Sequence, residues 1–166
     1  KNVVLCDGSY MKDIPEPLIS GAFILRSSDL PKTQKNVEVQ KPNDDTRNSN
    51  SSEILALKNA LNYVAANGLT EKPLHIVFDS NYVAKRLKSI KNGSFDELEK
   101  NKLTPYFEEI KDILEKSDIQ LEVHIVKSHQ ENVYGSSKTN VVKYNEEVDE
   151  MTRSGIRKFM KLGETN

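Results

Sequence analysis

Four acidic residues stand where acids are costly. Asp7 ends the run "VVLCD" and Asp79 ends "LHIVFD", so each carboxylate follows apolar residues with the pattern of a buried strand. Glu53 and Asp149 lie instead on stretches of helical period. Glu53 aligns with Leu57, Ala60 and Val64, and Asp149 with Thr152, Ile156 and Phe159 or Met160. Each has an ordinary reading: Asp7-Gly8 is a common turn signal, and "FDSN" at 78–81 offers a helix N-cap in Asp79 or Ser80. Glu146, Glu147 and Glu150 spread around the last helix and read as a solvated face or a complement to the helix dipole. A carboxylate heading a stripe that faces a sheet is another matter, because burying its charge is costly without a compensating cation. With little basic sequence beside them, four convergent acids have a metal ion as their natural counter-charge. Carboxylate oxygens suit Mg²⁺ or Mn²⁺ rather than zinc. Four of them can hold two such ions about 3.5 to 4 Å apart, clamping the attacking and leaving oxygens of a phosphodiester displacement.

The elements that must position these acids follow from the hydrophobic period. The first apolar strand reads as ending at Asp7, followed by a turn-rich connection, "GSYMKDIPEPLISG", and a short strand "AFILR". Residues 26–50 are polar, with a strand around "VEVQ" and a loop "KPNDDTRNSNSS". From Ser52 the period turns helical through Ile54, Leu57, Leu61 and Val64, stopping at Asn67-Gly68. "LHIVFDS" predicts a second buried strand. A helix from about Asn81 to Ile90, a break at Gly93, a helix from about Leu103 to Lys116 and a strand "QLEVHIV" follow. The loop "KSHQENVYGSSKTN" leads to a last helix from about Asn145 to Lys161. Strands in meander and then alternating with helices predict an α/β fold, a mixed sheet with helices on its faces.

The bulk composition fits one globular domain. Of 166 residues, 36% are hydrophobic and 30% charged, enough to bury a proper core. Lys and Arg number 24 against 25 Asp and Glu, so a net charge of -1 provides no global basic field for nucleic acid, although a local patch remains open. The single cysteine, Cys6, lies in the first apolar run as a small buried side chain. One cysteine excludes an internal disulfide and any cysteine-based zinc cluster, which favours an intracellular setting, cytoplasmic or nuclear. No apolar run approaches a membrane span, and no charged-then-apolar leader pattern is read ahead of the first strand. The chain starts at Lys1 without a methionine, which suggests a single domain over 1–166 that is processed, tagged or excised from a longer polypeptide.

Taken in order, "DGS" after the first strand, "SSEILAL" opening the first helix, "FDSNYV", "VKSH" and "NEEVDEMTR" resemble the signature of type 1 ribonuclease H over essentially the whole chain. The resemblance implies a five-stranded sheet, three antiparallel strands followed by two parallel ones, flanked by helices. It implies Mg²⁺-dependent endonucleolytic hydrolysis of RNA paired to DNA, two ions with Mn²⁺ able to substitute, leaving 3′-hydroxyl and 5′-phosphate ends. Asp7, Glu53, Asp79 and Asp149 become the active-site acids and metal ligands. His129 becomes the loop histidine that assists proton transfer or product departure, a task suited to a side chain with a pKa near 6.5. His75 and His124, inside apparent strands, have no comparable case. Ser9, Asn50 and Ser80 match polar positions that line the hybrid's minor groove, and each is equally at home in a turn or cap.

Two departures from the family pattern stand out. The glycine-rich loop after "DGS" is replaced by "YMKDIPEPLISG", and the basic, tryptophan-containing protrusion is missing, since the chain has no Trp and reads "LKSIKNGSFDELEKNKL" there. Lys85, Arg86, Lys88 and Lys91 remain as a candidate basic face, although such a run is usually just a solvated helix face. Some retroviral reverse transcriptases carry ribonuclease H domains without this protrusion, so the expected partners are an RNA/DNA hybrid and other domains of a larger polypeptide. The alternatives are a catalytically silent ribonuclease H-like binding module, which should have lost an acid, and a related DNA-processing nuclease, against which the "DGS" and "VKSH" pieces argue.

Overall fold

The computed structural model describes residues 1–41, 48–69, 71–126 and 140–164. Its strands are β1 (Asn2–Met11), β2 (Leu18–Ser27), β3 (Gln34–Gln40), β4 (Leu74–Phe78) and β5 (Leu121–Ile125). Its helices are α1 (Ser49–Ala66), α2 (Asn81–Asn92), α3 (Thr104–Lys116) and α4 (Asn140–Glu164), with a 3₁₀ turn at Phe95–Glu97. The sheet order is β3-β2-β1-β4-β5. The β1–β2 and β2–β3 pairs are antiparallel, and β4 joins β1 and β5 in parallel. The mixed five-stranded sheet implied by the resemblance is therefore the one observed. No described helix is long and apolar enough to cross a membrane.

Two faces of the sheet are packed differently. On one, α1, α2 and α3 close over Val4, Cys6, Phe23, Leu25, Ile76 and Phe78 with Leu57, Leu61, Leu87, Phe107 and Ile110. Each large apolar side chain buried there contributes about 1.5 to 3 kcal/mol. On the other, α4 lays Val148, Tyr144 and Met151 against Ala22 and Ile24 of β2.

Two expectations are corrected. The first helix starts at Ser49 rather than Ser52, because Asn48 and Ser51 form a reciprocal capping box: Ser51 N donates to Asn48 Oδ1 at 2.8 Å and Asn48 N to Ser51 Oγ at 2.9 Å. The first strand does not end at Asp7. It runs on to Met11, still paired with β2 from Asp7↔Ala22 to Met11↔Leu18, so the second strand also begins earlier, at Leu18. What does stop near Asp7 is the parallel pairing with β4, whose last register pair is Leu5↔Val77.

Candidate active site

Continuing the β1–β4 register two residues past Leu5↔Val77 sets Asp7 opposite Asp79. The two acids thus meet where the parallel pair of strands parts. Asp7 is buried, at 4% exposure, and its Oδ1 accepts the Gly8 N–H at 2.8 Å. Asp79 directly follows β4, half-buried. The N-cap of α2 is Ser80, yet its side chain makes no capping bond. Its hydroxyl acts on Glu53 instead, favouring the ionised form of that carboxyl.

Glu53 comes from α1, which reaches the sheet only because two glycines leave room. A Cβ on Gly8 would stand 2.2 Å from Ser52 Oγ and 2.5 Å from Glu53 N, and one on Gly21 would stand 2.6 Å from Ala56 N. Gly8 and Gly21 face each other across β1 and β2 and form the floor on which α1 rests. One ligand atom each from Asp7, Glu53 and Asp79 lies within 4.8 Å of the others.

The electrostatics state the problem such a cluster poses. Burial first, then the charges of Asp79 and Asp149, push the Asp7 carboxyl up to about 8 against the opposing Gly8 N–H. Burial first, then Asp79 and Asp7, push Glu53 up to about 9, opposed by the Ser80 hydroxyl. Glu53 Oε2 is buried without a hydrogen-bond partner. An orphaned carboxylate oxygen in an all-oxygen donor set is what a hard divalent cation would satisfy, so these residues fit such an ion. Asp149 stands beside Asp7 from α4 but outside the tight trio, its side chain 41% exposed. Arg153 Nη2 lies 3.3 Å from its Oδ2, an exposed pair one helical turn apart that contributes little.

The remaining candidate residues fall around this centre. Thr152 donates to the Asp149 carbonyl at 2.7 Å, so Ser9, 2.7 Å from the Thr152 hydroxyl, donates to it and ties β1 to α4. Asn50 is half-buried in the first turn of α1, three residues before Glu53 and on the same side of the helix. His129 lies outside the described residues. On α2, Lys85, Lys88 and Lys91 are exposed. Arg86 instead lies over the Tyr82 ring, 5.3 Å from its centroid, with Nη1 3.5 Å from the Glu99 carbonyl oxygen, so it belongs to the packing more than to a free basic face. The spacer glycines Gly8 and Gly21 were not legible as site residues. Gly8 carries the signature of a turn, and only the pairing of β1 with β2 shows that the two glycines adjoin.

A family model described as RNase H matches residues 1–157. No curated protein sequence matches the chain. Among solved structures, LC11-RNase H1, isolated from compost by a metagenomic approach and determined in complex with an RNA/DNA hybrid, aligns with a TM-score of 0.69 at 16% identity. That alignment covers 96% of this chain and 99% of the other. RNase H1 from the halophilic archaeon Halobacterium salinarum aligns with a TM-score of 0.56 at 16% identity, over 95% and 98%. The protease-reverse transcriptase of prototype foamy virus aligns with a TM-score of 0.66 at 19% identity over 93% of this chain. The chain spans only 20% of that viral polypeptide. At these identities the structural likeness is one of fold, whereas the family match extends over nearly the whole sequence and takes in all four acids: the chain belongs to the RNase H family.

Proposed function

We propose that this chain is a single catalytic domain that hydrolyses the RNA strand of RNA/DNA hybrids, using Asp7, Glu53, Asp79 and Asp149 to hold two Mg²⁺ ions, for which Mn²⁺ can substitute. The observation that carries the reading is the trio Asp7, Glu53 and Asp79, with ligand atoms within 4.8 Å and two of the three carboxyls buried. Such a trio costs stability unless a cation neutralises it. A pair of divalent ions supplies, when bound, positive charge at the attacking and leaving oxygens of an in-line phosphodiester displacement.

The chain's own residues provide the rest. Asp7 and Glu53 are fixed by a strand and a helix, so they hold their oxygens in place before substrate arrives. Asp149 enters from α4 and completes the site from the exposed side, where substrate must approach. Water's oxygen joins phosphorus as the bond to the 3′-oxygen breaks, leaving 5′-phosphate and, after protonation, 3′-hydroxyl. His129 is assigned the proton movement, and Ser9, Asn50 and Ser80 the sugar and phosphate contacts. RNA is distinguished by 2′-hydroxyls displayed in the wide minor groove.

Support for the substrate comes from LC11-RNase H1, which takes an RNA/DNA hybrid in its solved complex. The foamy virus protease-reverse transcriptase, of which this chain spans 20%, supports a setting in which such a domain is one part of a longer polypeptide. An intracellular location, cytoplasmic or nuclear, accords with such a substrate. The test is incubation of the purified chain with labelled hybrid, duplex RNA and duplex DNA in Mg²⁺. Cleavage confined to the RNA strand of the hybrid is expected. Comparable cutting of duplex DNA would overturn the substrate assignment.

A further inference from the structure

A second group of ligand-type side chains gathers at the β4–β5 edge of the sheet. His75 lies in β4, and Glu122 and His124 lie in β5, with His75 opposite Glu122 and Val77 opposite His124. The period of two places all three on one face, away from the core that takes Leu74, Ile76, Phe78 and Leu121. His75 Nδ1 is 3.0 Å from His124 Nε2 and 3.9 Å from Glu122 Oε2. One ligand atom from each of the three lies within 4.8 Å of the others. Both histidines are half-buried, with ring centroids 5.3 Å apart and planes inclined at 23°, while Glu122 is exposed. A hydrogen bond between two neutral rings would use the two nitrogens and leave the carboxylate without a role. A divalent cation would use all three.

We propose that His75, Glu122 and His124 form a second metal site, for a divalent d-block ion of the zinc type. With metal–ligand bonds of about 2.0 to 2.1 Å, tetrahedral ligand atoms stand roughly 3.3 Å apart. The observed 3.0 and 3.9 Å lie on either side of that separation. Two imidazoles with one carboxylate select zinc-like ions over Mg²⁺, the reverse of the preference of the all-carboxylate cluster. Three protein ligands leave the fourth position to water. His75 precedes Asp79 by four residues of extended chain, roughly 13 Å, so the two sites can fill independently. A bound ion would pin β4 to β5 across their register, adding its binding free energy to folding.

The test is zinc binding to the full chain by equilibrium dialysis in excess Mg²⁺, with Co²⁺ absorption as a report on imidazole ligation. The parent should hold one zinc, and Glu53→Gln should retain it. His124→Gln, and Glu122→Gln at an exposed position where misfolding is no concern, should each weaken binding. The loss should be no less than the roughly 10- to 100-fold that removal of even an outer hydrogen-bond partner costs a metal site. The visible Co²⁺ bands should weaken with it. A parent that binds no zinc would overturn the proposal, and so would zinc lost in Glu53→Gln but kept in both Glu122→Gln and His124→Gln.

Discussion

Replacing Glu53 with glutamine should stabilise the metal-free protein in mild alkali. Glu53 is 5% exposed, and its carboxyl is raised from 4.5 to about 9, chiefly by burial and then by Asp79. Above 4.5 the unfolded chain releases this proton while the folded chain keeps it, so the folded state binds more protons and its stability falls as pH rises towards about 9. The slope for one group is about 1.4 kcal/mol per pH unit, and integration to an assay at about pH 8 gives a ceiling near 5 kcal/mol. A proton on Glu53 also eases Asp7, and water entering the cluster screens both, so a gain of about 1 to 3 kcal/mol is expected for Glu53→Gln near pH 8, shrinking towards pH 5. Urea unfolding followed by circular dichroism, in chelator, measures both ends of that range. Adding Mg²⁺ should narrow the difference, because the parent gains more from the ion. A variant no more stable than the parent near pH 8 in chelator would refute the picture of a strained, cation-requiring cluster.

Other expectations follow from the same geometry. Gly8→Ala drives a methyl group into Ser52 and the Glu53 backbone, so α1 must retreat. Unfolding titration should show a loss of about 1 to 3 kcal/mol. Turnover should fall about 100-fold from the displacement of Glu53, and full activity would show that α1 does not need that close approach. His129→Ala should slow hybrid cleavage by about 10- to 10⁴-fold without abolishing it, in single-turnover assays. Complete loss would make the residue a ligand, and no loss would remove it from the chemistry. Hybrid binding by the chain alone should be weak at physiological salt, since Asp96, Glu97 and Glu99 are exposed next to the few lysines of α2. Fusing a hybrid-binding module should lower KM and leave kcat nearly unchanged. A tight KM for the unfused chain at physiological salt would contradict this.

The acids were legible because each broke a local rule. Asp7 and Asp79 interrupt apolar runs, and Glu53 heads the stripe of Leu57, Ala60 and Val64, all three of which are buried in the core under α1. Helix and strand order could be read from hydrophobic period, and so could the Gly93 stop, where φ is +82°. What failed was whatever depended on a partner strand. Asp7-Gly8 has the composition of a turn, yet the backbone there stays extended because β2 pairs with it through Met11↔Leu18. Gly21 lay in an apolar run with nothing to show that it would sit beneath Ala56. Ser80 did become the N-cap of α2, but without the side-chain bond the motif promises. His75 and His124 carried no signal at all, since 49 residues separate them and only the register of β4 with β5 brings the rings together.

The proposed function requires the buried carboxylates to hold divalent ions for phosphodiester hydrolysis. Its most direct test compares cleavage of a labelled RNA/DNA hybrid by the parent and by Asp7→Asn, in Mg²⁺ and in chelator, with circular dichroism confirming that both are folded. Cleavage is expected from the parent in Mg²⁺ only, and none from a folded Asp7→Asn. Near-parental turnover by Asp7→Asn in Mg²⁺, or undiminished cleavage by the parent in chelator, would contradict that function.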